Sequence, residues 1–247
     1  MAHYILLPQP MDKPKRLLRP HSRLSQLANM IQPPYSTVWD CCCDHGLLGM
    51  SLLKDRCADK VIFVDVLENM MASLADRLAR DFPQDQYSWQ VRCDDVKNIA
   101  VPDADSQLFI IAGVGPHQTI EFIDSLCASA PDRPFDLLIC SVHGNYSVRE
   151  ALINQGYKLK DERIICDKNR FYEAIYVSKS ADQPLIETGS PMWNWADPVH
   201  QDYWHRTVGH YRQKAKNDPV QFQPIVERYQ LLRAAIENTA GIIQNQS

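Results

Sequence analysis

Two strand-length apolar runs, Tyr157–Cys166 and Phe171–Ser178, are separated by only four residues, Asp167-Lys168-Asn169-Arg170. A parallel pair of strands needs a crossover of a dozen or more residues, so these two are constrained to be antiparallel neighbours. Everything upstream points the other way. Candidate strands Thr37–Cys41, Lys60–Asp65, Ser88–Arg92, Ser106–Ala112 and Phe135–Ser141 alternate with candidate helices Leu47–Arg56, Glu68–Asp81, His117–Ala130 and Ser147–Gln155. Such alternation predicts an α/β fold, a parallel Rossmann-like sheet with helices on both faces. The final hairpin closes it.

The flanks differ in character. Lys13, Lys15, Arg16, Arg19 and Arg23 form a basic lead into a helix capped by Ser22, with Leu24, Leu27, Ala28 and Ile31 on its packed face and Pro33-Pro34 as its stop. Beyond Lys179 a polar, turn-rich linker precedes two helices, Asp197–Asn217 and Pro219–Thr239, parted at Asp218-Pro219. This helical hairpin carries too little apolar surface to fold alone and is expected to dock on the sheet. The expected organisation is a basic segment and helix over 1–34, a sheet domain over 35–179 and the helical hairpin over 190–247. At 247 residues there is room for one full α/β domain and such an appendage.

The net charge of −4 gives no global pull toward nucleic acid, so any such binding must rest on local patches. The start, MAHYILLPQPMDKPKR, does not fit an export signal, and no apolar run approaches the roughly 20 residues of a membrane span. A cytoplasmic protein without a membrane partner is expected. Eight cysteines fall at 41, 42, 43, 57, 93, 127, 140 and 166, with no C-x-x-C pair. Neighbouring side chains at 41–43 diverge and suit one tetrahedral metal poorly, so they read as small apolar fillers and no metal is expected.

The segment Thr37–Gly49, TVWDCCCDHGLLG, is a strand, a loop and a helix N-terminus, an arrangement that offers backbone N–H groups to a nucleotide-like ligand. Asp40 ends the first strand, and Asp65 ends the second 25 residues later, placed to accept from ribose hydroxyls. Asp94 or Asp95, after the third strand, suits an adenine amino group, or else caps a short helix. Ala112, Gly113 and Gly115 close the fourth strand beside the same crevice. Candidate cofactor contacts are therefore Asp40, Cys41, Cys42, Asp44, His45, Asp65, Val66, Asp94, Asp95, Ala112, Gly113 and Gly115. In the tail, Trp193, Trp195, Tyr203, Trp204 and Tyr211 interleave with His200, His205, Arg206, His210, Arg212, Lys214 and Lys216. They make either a base-stacking cationic surface or the buried stripe and wet face of a docked helix.

The closing antiparallel strand marks the sheet of S-adenosylmethionine-dependent (class I) methyltransferases; a dinucleotide-binding oxidoreductase, which would continue with parallel units, is the weaker alternative. The motif series then resembles the bacterial tRNA (adenine(22)-N(1))-methyltransferases, the TrmK family. The family's S-K-R-L is similar to Ser22-Arg23-Leu24, and its A-D-I-G-S-D-H-A-Y-L loop to Trp39–Leu48. Its G-D-G-L falls on Cys93–Val96, its I-A-G-M-G-G on Ile111–Pro116, and its late Y-E pair on Tyr172-Glu173. Two departures stand out: Cys42 replaces the loop glycine, and Ser141-Val142-His143 replaces Q-P-N. A non-glycine residue at positive φ costs about 1–2 kcal/mol, so the loop either bears that strain or turns differently. The resemblance implies S-adenosyl-L-methionine as cofactor, tRNA as partner and methylation of an adenine N1. It implies a base pocket shaped by Asp44, His45, Ser141 and His143, and RNA contacts from Arg16, Arg19, Arg23, Arg206, Arg212, Lys214 and Lys216. Another acceptor (rRNA, protein or a small molecule), or tRNA binding without turnover, are the alternatives.

Overall fold

A computed structural model describes residues 17–19, 21–32 and 34–244, with side chains as far as residue 235. Arg16 and Pro33 lie outside the described residues. The chain runs α1 (Arg23–Ala28), β1 (Tyr35–Cys41), α2 (Leu47–Lys54), β2 (Ala58–Asp65), α3 (Glu68–Asp81), β3 (Trp89–Cys93), β4 (Gln107–Ala112), α4 (Pro116–Ser129), β5 (Asp136–Cys140), α5 (Asn145–Asn154), β6 (Lys158–Asp167), β7 (Arg170–Ser178), α6 (Pro198–Ala215) and α7 (Pro219–Gln244). The strands form one sheet in the order β3-β2-β1-β4-β5-β7-β6. All pairs through β5 are parallel; β5–β7 and β6–β7 are antiparallel.

Sheet periodicity sorts the core into two faces. Val38, Phe63, Leu108, Ile110 and Leu138 pack with Leu27 of α1, Leu52 of α2 and Leu74 of α3. Trp39, Val64, Phe109, Ile111 and Ile139 face the opposite way, onto Phe122 and Ile123 of α4 and Val148 of α5. Ser22 caps α1 as expected, its Oγ accepting from Ser25 N. The helix is shorter than its apolar pattern, ending at Ala28; Ile31 is buried beyond it.

The closing hairpin is tighter than the sequence suggests. Asp167 pairs directly with Arg170, leaving a two-residue turn, Lys168-Asn169, with both residues at positive φ (52° and 61°). That left-handed pair follows the right-handed twist of the strands, and asparagine tolerates it well. The segment after Lys179 is no loose tether. Leu185 is buried in the sheet core, Leu159 N donates to Gln183 O (2.8 Å), and Glu162 Oε1 accepts from the backbone of Ser190 (2.7 Å) and Met192 (3.3 Å).

The helical hairpin docks as expected. Trp193, Tyr203, Trp204, Val208, Tyr211, Val226 and Tyr229 bury together with Tyr146 of α5 and Ile164 of β6. Beneath them lies a charge group that the sequence did not reveal: Arg149 sits 2.7 Å from Glu162 and 2.7 Å from Glu173, with all three side chains fully buried. Tyr203 of α6 donates to Glu173 Oε1 (2.6 Å), tying the tail to the sheet.

Candidate active site

The carboxyl ends of β1, β2 and β4 open onto a cavity of ≈ 360 Å³, the crevice that parallel α/β sheets offer to ligands. Its floor is the loop between β1 and α2. Cys42 and Asp44 take positive φ (56° and 51°), as does Gly46 (65°), so the chain adopts the glycine-type turn without its glycine. The Cys42 strain is therefore present. The loop is held by Cys43 N donating to Val64 O (3.2 Å) and Gly46 N to Cys43 O (2.8 Å). The three thiols stay protonated: burial pushes Cys42 up to about 12 and raises Cys41 and Cys43 as well, helped by neighbouring thiols and carboxylates. Among the described residues no cluster of His, Cys, Asp or Glu is placed to hold a metal ion.

Asp40 is buried at the end of β1, and its Oδ2 accepts from Gly49 N at 2.8 Å. Gly49 is required there, because a Cβ would stand 2.3 Å from the Phe63 ring and 2.9 Å from the Asp40 carboxylate. Burial raises the Asp40 carboxyl to about 7 against the pull of that hydrogen bond, and Asp65 adds to the rise. At the tip of β2, Asp65 accepts from Asp44 N (3.1 Å) and Leu67 N (3.3 Å), joining the first loop to the second. Gly113, at φ 92°, forms the opposite wall.

Seven of the expected cofactor residues line this cavity: Asp40, Cys42, Asp44, His45, Asp65, Ala112 and Gly113. Five stand apart from it. Cys41 is buried in the sheet core, and Val66 is exposed beside the cavity. Gly115 is the N-cap of α4. Asp95 is the cap of the 3-10 turn Val96–Asn98, its Oδ1 accepting from Lys97 N (3.0 Å). Asp94 binds Asn98, Arg92 and Asp95 N, and those hydrogen bonds, Asn98 first, hold it below the usual carboxylate range.

The expected base-pocket residues divide. Asp44 and His45 are exposed at the cavity mouth, 3.7 Å apart. Ser141 is buried, its one hydroxyl proton within reach of Val114 O (3.2 Å) and His143 O (2.9 Å), so it ties the ends of β4 and β5 together. His143 lines a second, aromatic cavity of ≈ 410 Å³ between α5, the β6–β7 turn and α6. The two cavities adjoin. Val114 of the first accepts from Val142 N of the second (3.0 Å), and the Arg23 guanidinium, a wall of the first, lies 5.0 Å over the Tyr172 ring of the second.

Arg23 was expected on an RNA face; the structure instead puts it in the cavity wall, with its backbone N–H on Asp167 (3.1 Å). Arg19 pairs with the same carboxylate at 2.5 Å. Arg206 pairs with Asp202 (2.8 Å) and stacks on Phe171, and Lys214 lies over Phe222. Arg212, Lys214 and Lys216 are on the exposed side of the hairpin. The tail aromatics are its buried stripe, as the blander expectation held.

The sequence profile of the methyltransferase domain family matches residues 21–175. The chain belongs to that family. No curated protein is similar enough in sequence to be matched. Among solved structures, this methyltransferase domain and its tail superpose on M. capricolum TrmK in complex with S-adenosyl-homocysteine (TM-score 0.67, 16% identity, 87% of this chain and 96% of that one). They superpose also on the B. subtilis m1A22 tRNA methyltransferase TrmK (0.63, 17% identity, 87% and 97%). Streptococcus pneumoniae Sp1610 with bound S-adenosyl-L-methionine aligns as well (0.67, 16% identity, 85% and 97%). The similarity includes the helical hairpin, and at these identities it establishes the fold.

Proposed function

We propose that the chain transfers the methyl group of S-adenosyl-L-methionine to N1 of an adenine in tRNA. The observation that carries this is the lining of the first cavity: the carboxylates Asp40, Asp44 and Asp65 with a single guanidinium, Arg23, beside the glycine-type loop of a methyltransferase sheet. That mixture suits an adenosyl ligand bearing an ammonium, a sulfonium and a carboxylate. Asp65 would hold the ribose, Asp40 would face the cationic part and Arg23 the carboxylate. The bound cofactor supplies an electrophilic methyl on sulfur.

Adenine N1 has a free lone pair in the neutral base, so no residue has to remove a proton first. The N1 lone pair would take the methyl group as its bond to sulfur breaks, with that bond's electrons left on sulfur, so that the positive charge would pass to the base. What the protein must provide is alignment and a polar surrounding that tolerates that charge. This agrees with a site that has acids and no nucleophile–base pair. N1 lies on the Watson–Crick edge, so the base must enter unpaired. The exposed Arg212, Lys214 and Lys216 on the hairpin are the surface offered to the tRNA backbone. Loss of turnover finds no support in the loop, since Cys42 takes the turn a glycine would.

The test is to incubate the purified chain with S-adenosyl-L-methionine and unmodified tRNA, then digest the RNA and search by mass spectrometry for 1-methyladenosine. Methyl incorporation at another nucleoside, or none, refutes the assignment.

A further inference from the structure

The aromatic cavity has a hydrogen-bond chain beneath it with one free end. Glu173, fully buried, accepts from the Arg149 guanidinium at 2.7 Å. Tyr203 therefore donates its phenol proton to Glu173 Oε1, at 2.6 Å. Burial beside that carboxylate raises the Tyr203 phenol further, so the proton stays in place. With its hydrogen committed, the Tyr203 oxygen accepts from Asn145 Nδ2, at 3.3 Å. The amide is thus oriented by the charge group below it, and Asn145 Oδ1 is the end left over. Asn145 lines the cavity and is only 8% exposed, and its Oδ1 is buried with no hydrogen-bond partner among the described residues. Buried amide oxygens are seldom left unpaired, and one fixed in this orientation asks its ligand for an N–H.

The rest of the cavity says what carries that N–H. Rings of Tyr146, Phe171, Tyr172 and Tyr211 supply flat apolar walls. Burial lowers His210, which Lys214 and His143 reinforce, so it adds no fixed charge to the wall. Arg170 is exposed at the rim, where a phosphate could meet it. A planar heterocycle with an amino group and a phosphate outside is a nucleotide.

We infer that this cavity receives one unpaired nucleobase and that Asn145 Oδ1 selects it by accepting a hydrogen bond from its exocyclic amino group. The choice of adenine rests on the proposed function, because the adenine amino group adjoins the N1 that takes the methyl. The adjoining Arg23–Tyr172 wall sets this base beside the cofactor cavity. Asn145 is then a specificity-determining residue that acts without entering the chemistry.

The experiment uses the full chain and two labelled 12-nucleotide uridine RNAs read by fluorescence anisotropy. One has a central adenosine; the other has a central purine riboside, which keeps the rings and lacks the amino group. The adenosine RNA should bind on the order of tenfold more tightly. Asn145→Leu, which keeps the size of the side chain, should bind both alike. Should that variant fail to fold by near-ultraviolet circular dichroism, Tyr203→Phe frees the amide to turn and should narrow the preference instead. Equal binding by the unaltered chain, binding of neither RNA, tighter binding of a central cytidine, or a preference that survives the substitution each overturns the inference. Methyl transfer measured on the same preparations separates it from the proposed function. A chain that methylates tRNA but ignores the amino group loses only the role of Asn145. A chain that prefers adenosine but transfers no methyl loses only the activity.

Discussion

If Asp40 faces the cationic part of the cofactor, as proposed, cofactor binding should be coupled to the release of a proton. Its carboxyl is buried, accepts one backbone N–H from Gly49, and is raised from an ordinary 3.8 to about 7, chiefly by burial. The difference corresponds to about 4 kcal/mol between its protonated and ionised forms, at about 1.4 kcal/mol per pH unit. The sign follows from the rise. The folded state holds the proton more tightly than the unfolded state, so this contribution to stability is complete below about pH 4 and is lost as pH climbs toward 7. A cation brought against the carboxyl reverses the preference. At pH 6 about nine-tenths of the free protein should carry the proton, so binding of S-adenosyl-L-methionine should release nearly one. Its affinity should rise close to tenfold per pH unit up to about 7 and then level. Titration calorimetry at pH 6 in buffers of different ionisation enthalpy reads the proton directly. 5′-Methylthioadenosine, which lacks both the ammonium and the sulfonium charge, should show no such rise with pH. A flat affinity for S-adenosyl-L-methionine between pH 5.5 and 8, or a slope that Asp40→Asn leaves intact, would refute the account.

Four other substitutions have defined outcomes. Asp65→Ala removes the acceptor that joins two loops and is proposed to hold the ribose, and should weaken cofactor binding by about 10- to 100-fold in calorimetry; an unchanged Kd sinks its role. Cys42→Gly relieves a left-handed strain of about 1–2 kcal/mol, less about 0.4–1 kcal/mol for the freer unfolded chain, so the urea midpoint should hold or rise; a loss beyond about 1 kcal/mol contradicts it. Gly49→Ala forces a methyl group into Phe63 and Asp40 and should cost about 1–3 kcal/mol in denaturant unfolding, with weaker cofactor binding as well. Arg149→Met strands two buried carboxylates and should cost about 3–5 kcal/mol; a melting temperature within a degree or two of the original would show that the charge group is dispensable.

The sheet was legible because its signals are local. Apolar runs of strand length, and a gap too short for a crossover, are properties of neighbouring residues, and they placed β1 to β7 within a few positions. The acids at the ends of β1 and β2 were legible for the same reason, since topology brings those ends to one crevice. What escaped depends on partners far along the chain. Arg149 looks like one more surface cation on an amphipathic helix until Glu162 and Glu173, from the hairpin, close on it. Arg23 sits in a basic run, yet Asp167 and Tyr172 draw it into the cavity wall. Ser180–Pro191 reads as a polar linker because the contact that pins it belongs to Glu162. Ser141 and Asp95 carry the right chemistry for a site and were spent on the backbone beside it.

The two-residue turn at Lys168-Asn169 encodes more than a reversal of direction. Along β7, Phe171 and Glu173 point to the face that carries the tail and the buried charges, while Tyr172 and Ala174 point to the face shared with α1. Side chains in a strand alternate with a period of two, so parity decides which wall each residue builds. A slip of β7 by one residue would present a carboxylate to Arg23 and a phenol ring to Arg149, exchanging the linings of the two cavities in one step. A slip of two would keep both. The short turn guards that parity from the β6 side, and pairing with β5 guards it from the other.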